Sequence, residues 1–237
     1  MSEASVFEAA MAVSGPDLKA VLWDMDGTLL DSEKLWDVAM HELAAELGGV
    51  MTPSTRHSII GASGPNALAT IFGALELDPT AAALADAAAW VNGRVTELFS
   101  LGIPWRPGAQ EALRTVRESG LRTALVTNTE RVLAEQALDT LGREHFDITV
   151  CGDEVPRGKP EPDPYLRAAE LLGIAPEHCL AVEDSPTGSA AAEAAGCAVL
   201  VVPCEVAVPT GPRRVHRESL EGIGESGFTA AWRTVHA

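Results

Sequence analysis

Asp24 and Asp26 flank a single methionine and are followed by Gly27-Thr28, directly after the apolar run Ala20-Val21-Leu22-Trp23. Two carboxylates this close repel one another unless a cation sits with them or one is protonated. Thr127-Asn128 and Glu183-Asp184 end other apolar runs, and Lys159 lies in the loop Arg157-Gly158-Lys159-Pro160 that follows another. Together they form a set of four carboxylates, a hydroxyl and a lysine. Mg²⁺ prefers oxygen ligands, commonly one or two carboxylates plus substrate phosphate and water. Asp24 and Asp184 are the first candidates as ligands, and Glu183 is next. A phosphoryl group placed there meets positive charge from the metal and Lys159, and hydrogen bonds from the Thr127 hydroxyl and nearby backbone. Asp24 is then the candidate nucleophile, forming an aspartyl-phosphate. Asp26 is the candidate general acid and base.

The elements that position these groups read as an α/β fold with a doubly wound parallel sheet. Fully buried strands are predicted at Ala20–Trp23, Thr123–Thr127, Ile148–Cys151, Cys179–Glu183 and Ala198–Val202. Helices are predicted between them at Ala109–Ser119, Arg131–Leu141, Pro164–Leu172 and Pro186–Ala195. Gly120, Gly142, Gly173 and Gly196 stand where C-terminal caps belong, and Pro164 and Pro186 suit first turns. Residues 34–102 break the alternation: they are Ala- and Leu-rich and read as helices over about 34–48, 53–60, 64–75 and 79–101. The expected organisation is a catalytic core over 18–33 and 103–237 with an all-helical insert over 34–102. Ligands of open parallel sheets bind outside the carboxyl ends of the strands, where all the polar groups above fall.

Composition narrows the partners. A formal net charge of -17 over 237 residues repels nucleic acid and anionic membrane, so neither is expected. It repels anionic substrates as well, so a phosphate site must supply its own local positive charge. The hydrophobic fraction of 46% suits a packed protein. Cys151, Cys179, Cys197 and Cys204 include no C-x-x-C pair and read as reduced thiols. Residues 1–17 read as a ragged leader with one short helix at most. They lack the basic region of a signal peptide, and no apolar run has the length of a membrane span. A cytoplasmic monomer acting on a small phosphate ester is expected.

The same residues resemble the four motifs of the haloacid dehalogenase superfamily, in that family's order: Asp24-Met-Asp-Gly-Thr-Leu-Leu-Asp-Ser-Glu33, Val126-Thr127-Asn128, Gly158-Lys159-Pro160-Glu-Pro-Asp-Pro164 and Val182-Glu183-Asp184-Ser-Pro-Thr-Gly188. The resemblance runs from about Lys19 to Val202. It implies a Rossmann-like core with a C1 helical cap, and Asp24 as nucleophile with Asp26 as acid and base. It further implies Thr127, Asn128 and Lys159 as phosphate binders. Mg²⁺ would be held by Asp24, Asp184 and the Asp26 backbone carbonyl, with Glu183 as a further ligand or as a group orienting Lys159. True dehalogenases look different at the position of Asp26, and phosphonate hydrolysis needs a cap amine, for which the insert offers only Lys34. Beta-phosphoglucomutase shares the motifs but carries a histidine where this chain has Trp36; His41, one turn on, is a weak substitute. The expected activity is therefore a Mg²⁺-dependent phosphatase of a sugar phosphate. A phosphomutase is the alternative, and a non-catalytic binding relative the more distant one. Asp31-Ser-Glu-Lys-Leu-Trp36-Asp37 is similar to hexose and hexitol phosphatases, in which reading Trp36 stacks on a sugar face. Arg56, Ser63 and Asn66 lie where cap loops reach substrate. The cluster Arg213-Arg214-Val-His-Arg217 reads as a solvated face.

Overall fold

The computed structural model describes residues 17–60, 62 and 64–237, so the leader reading and Ser63 lie outside the described residues. β1 (Ala20–Trp23) is buried along its whole length and is flanked by parallel neighbours on both edges. Its side chains alternate: Val21 and Trp23 enter one core, Ala20 and Leu22 the other. That two-residue alternation lets a short apolar run be covered on both faces.

Six parallel strands stand in the order β3-β2-β1-β4-β5-β6. β2 is Arg122–Val126, β3 Ile148–Val150, β4 Cys179–Glu183, β5 Ala198–Val201 and β6 Arg214–His216. Four helices form an insert directly after β1: α1 (Glu33–Glu46), α2 (Pro53–Ile59), α3 (Gly64–Ala74) and α4 (Ala81–Ser100). The crossovers that cover the sheet are α5 (Ala109–Glu118), α6 (Arg131–Leu141), α7 (Asp163–Leu172) and α8 (Pro186–Ala195), and α9 (Glu225–His236) closes the chain. α5, α6 and α9 pack on the Trp23 face, where Phe228 meets Trp23 edge-on at 5.6 Å. α7 and α8 pack on the Leu22 face.

The helix boundaries have local causes. Thr80 accepts from the Ala83 N–H at 3.2 Å, Thr52 from Thr55 N–H at 3.1 Å, and Ser185 from Gly188 N–H at 3.0 Å. Such caps each contribute about 1 kcal/mol. Gly173 and Gly196 end α7 and α8 in left-handed conformation, as expected. Ala87, Val91, Val95 and Phe99 form one buried stripe on α4, which explains how its alanine run packs.

Two elements depart from the expectation. β6 and α9 are additional, and the basic cluster is not simply solvated. Arg214 pairs with Glu193 at 2.7 Å, and Arg213 donates to the Gly196 carbonyl at 3.0 Å. The cluster ties the edge strand to the end of α8. Strand and helix ends elsewhere differ from the expected ones by one or two residues. All four cysteines are free thiols, three of them buried. No described helix is long and apolar enough to cross a membrane.

Candidate functional site

The strand order reverses direction between β1 and β4, and their carboxyl ends deliver the acidic groups. Trp23 stands in register with Val182, and Asp24 N–H donates to the Val182 carbonyl at 3.0 Å. Asp24 and Glu183-Asp184 therefore emerge side by side. Gly27, at φ +84°, lets the turn after β1 pass close to Asp184: a Cβ there would lie 2.3 Å from Asp184 Oδ2. Gly188 has the same necessity, since a Cβ would lie 1.9 Å from Glu183 Oε1.

Lys159 Nζ sits between Asp24 Oδ1, at 2.6 Å, and Glu183 Oε1, at 2.7 Å, and is almost wholly buried. Its ammonium is held well above the usual lysine range by these two carboxylates, against the opposing effect of burial. Asn128 fixes the lysine's backbone from both sides. Its Oδ1 accepts from Lys159 N–H at 2.8 Å and its Nδ2 donates to the Lys159 carbonyl at 3.2 Å. The side-chain amide of Asn128 is thus committed to the lysine loop.

Glu183 is completely buried and already satisfied. Oε1 accepts from Lys159 and from the Tyr165 hydroxyl at 2.6 Å, and Oε2 accepts from Ser185 at 3.1 Å. One oxygen each of Asp24, Glu183 and Asp184 lies within 4.8 Å of the others. Proximity makes three candidates for a metal, but the hydrogen bonds leave Asp24 and Asp184 as the pair with capacity to spare. Asp24 Oδ2 is buried with no hydrogen-bond partner. Burial and then the Glu183 charge push its carboxyl up to about 7, with Lys159 opposing. Asp184 is raised well above the carboxylate range, by burial first and then by Asp24. Such a cluster suits a hard divalent cation, because every donor is oxygen and the mutual repulsion is relieved when the ion binds.

Asp26 is treated differently although only one residue separates it from Asp24. Its Oδ1 accepts from Ser32 Oγ at 2.6 Å and Trp36 Nε1 at 3.1 Å, and its Oδ2 from Thr129 Oγ1 at 2.7 Å and Thr127 Oγ1 at 3.3 Å. Thr127 Oγ1 also accepts from Thr129 N–H at 3.0 Å. Ser32 and Thr129 were not singled out in the sequence; the Asp-Ser-Glu and Thr-Asn-Thr strings were the available signal. Trp36 is held by Asp26 and packs edge-on against Phe99 of α4 at 6.3 Å.

Asp24, Asp26, Thr127, Asn128, Thr129, Lys159 and Asp184 line a cavity of about 600 Å³ between the strand ends and the four helices, whereas Glu183 and Ser32 stand behind it. Trp36 and Arg56 line it as well, whereas Asn66 and His41 do not. His41 is exposed, with Nδ1 2.9 Å from the Asp37 carbonyl oxygen. Glu33 is a lining residue that sequence reasoning passed over. Burial, then Asp26 and Glu205, push its carboxyl up to about 8.

Comparison with known proteins agrees with this geometry. The profile of the haloacid dehalogenase-like hydrolase family matches residues 18–196. The chain is 34% identical over 180 residues to the "Phosphorylated carbohydrates phosphatase" of Thermotoga maritima, covering 76% of this chain and 82% of that protein. It is 34% identical over 196 residues to hexitol phosphatase A of Escherichia coli, covering 78% and 82% respectively. The crystal structure of CbbY from Rhodobacter sphaeroides in complex with phosphate superposes with a TM-score of 0.80 at 30% identity, covering 89% of this chain and 99% of that one. With the profile spanning most of the core and the strand-end carboxylates in place, the chain belongs to the haloacid dehalogenase-like hydrolase family.

Proposed function

We propose that the protein is a Mg²⁺-dependent phosphatase that hydrolyses a small phosphorylated carbohydrate through an aspartyl-phosphate on Asp24. The observation that carries this reading is Asp24 itself. One oxygen is held by Lys159, and the other is buried without a partner beside the cavity. Asp24, Asp184 and the Asp26 backbone carbonyl would hold Mg²⁺, which when bound neutralises charge on the phosphoryl oxygens.

The chain's own groups account for the remaining steps. Lys159 sets the orientation of the Asp24 carboxylate and adds positive charge next to the phosphoryl group. An Asp24 oxygen bonds to phosphorus as the ester oxygen–phosphorus bond breaks, and the Asp26 carboxyl gives its proton to the departing alcohol oxygen. Asp26, now a carboxylate, takes a proton from water as that water attacks phosphorus. Inorganic phosphate leaves and Asp24 is regenerated. Ser32, Trp36, Thr127 and Thr129 hold Asp26 for both transfers. The relatives named for phosphorylated carbohydrates and hexitols support the substrate class. Trp36, committed to Asp26 and Phe99, favours hydrolysis over mutase chemistry, for which a histidine at that place was the family expectation.

The test is Asp24→Asn. Phosphate release should fall by roughly a thousandfold or more, with an unchanged circular-dichroism spectrum. Near wild-type turnover in a folded variant would sink the mechanism. Return of labelled phosphate to sugar rather than to water would replace phosphatase by mutase.

A further inference from the structure

The helical segment contributes two unlike arcs to the cavity wall. One is apolar, built by Ile59, Leu68, Leu84 and Val91 of the helical segment. The other is polar and includes Glu33, Asp37 and Arg56. Among the described lining residues the only positive side chains are Lys159 and Arg56, and both are already paired.

Arg56 Nε donates to Asp37 Oδ1 at 2.7 Å, and its Nη2 donates to Glu205 Oε2 at 2.5 Å. One guanidinium between two carboxylates leaves this end formally negative. His41 Nδ1, 3.4 Å from Asp37, is largely exposed and outside the cavity. Glu205 reaches Arg56 from the segment after β5, so the two acids that hold the guanidinium come from different parts of the chain, Asp37 from α1 and Glu205 from the core. A second anionic group on the substrate would find no unpaired cation here. It would instead meet Glu33, Asp37 and an Arg56 whose charge is already taken up by Asp37 and Glu205, or lose its hydration against the apolar arc, and either is unfavourable. Hydroxyl groups both donate and accept, so they suit a wall of carboxylates and a guanidinium.

Resting on the phosphatase reading above, we infer that the substrate is the monophosphate of an uncharged alcohol, and that Asp37 and Glu205 exclude esters carrying a second anionic group by neutralising Arg56. The two acids are thus specificity determinants.

The experiment compares kcat/KM, with Mg²⁺ at neutral pH, for a hexitol monophosphate, a hexose monophosphate, a hexose bisphosphate and phosphoglycolate. The neutral-alcohol esters should lead by about tenfold or more. Asp37→Asn, Glu205→Gln and the double variant should narrow that lead by about tenfold, through a fall in KM for the doubly anionic esters that salt weakens. A merely structural role would lower all esters alike. Equal or better turnover of the bisphosphate or phosphoglycolate by the wild-type enzyme overturns the inference while leaving a phosphatase. Variants that keep the wild-type ratio overturn the assignment to Asp37 and Glu205. Failure to hydrolyse any ester, p-nitrophenyl phosphate included, removes the phosphatase reading itself.

Discussion

Lys159 and Arg56 each lie between two carboxylates, Lys159 at the strand ends and Arg56 on the helical wall opposite. At the strand ends the side chains of Lys159, Asp24 and Glu183 are 4%, 10% and 0% exposed. Around Arg56 the side chains of Arg56, Asp37 and Glu205 are 21%, 34% and 26% exposed. Charges without water between them act strongly at short range, and the cost of desolvation means they fix geometry more than they stabilise the fold. Partly hydrated charges act weakly and are screened by salt. One arrangement is therefore suited to chemistry that tolerates no displacement. The other is suited to sorting what enters.

Breaking the buried arrangement should have the larger effect. Lys159→Ala leaves Asp24 and Glu183 facing each other unpaired, and should cost about a hundredfold or more in kcat with roughly 3–5 kcal/mol of stability. Denaturant unfolding and steady-state kinetics measure both. A loss no greater than that of Arg56→Ala would erase the distinction.

Metal removal sharpens it next. EDTA should abolish turnover and Mg²⁺ restore it; full activity in chelated protein would contradict the role given to Asp24 and Asp184. The Asp24 carboxyl is pushed from 3.8 up to about 7, and that of Glu33 from 4.5 up to about 8. Without metal the folded protein binds more protons than the unfolded chain through that window. Its stability therefore falls as pH rises from about 4 to about 8. The rise in Tm on adding Mg²⁺ should be greatest at the alkaline end, and a pH-independent rise would break the link.

A smaller effect is expected at Asn128. Asn128→Ala frees the lysine loop and should lower kcat by about tenfold with little change in KM; a change in KM alone would favour a direct phosphate contact. Smallest is Arg56→Ala, which should shift unfolding by under about 1 kcal/mol. A larger shift by calorimetry would make that pair part of the scaffold.

The strands and their terminal acids were legible because both signals are local. An apolar run that stops at Asp24 or Glu183 carries its own explanation, as do Ser185 before Pro186 and Gly196 after α8. The three-residue β6 was not legible, because an edge strand of Arg-Val-His has no apolar run to announce it, and α9 was not drawn out of the chain's last twenty residues. Contacts over long sequence separations were equally hidden. Asn128 reaches Lys159 across 31 residues and Arg56 reaches Glu205 across 149. Thr127 and Trp36 were recognised by position, but that both donate to Asp26 follows only from the folded arrangement.

The segments leading into and out of the four helices run together. Leu30 forms an antiparallel bridge with Trp105, Asp31 N–H donates to the Pro104 carbonyl at 2.8 Å, and Arg106 N–H donates to the Leu29 carbonyl at 2.9 Å. A laced pair of extended strands resists twisting and sliding more than it resists folding over its own width. Ser32 and Trp36 lie just beyond the lacing, so any swing of the helices about it draws two of the four donors away from Asp26. The hold on Asp26 Oδ1 is thereby tied to the placement of the helices: a displacement of α1 that broke the Ser32 and Trp36 hydrogen bonds would leave Asp26 held at Oδ2 alone, by Thr127 and Thr129.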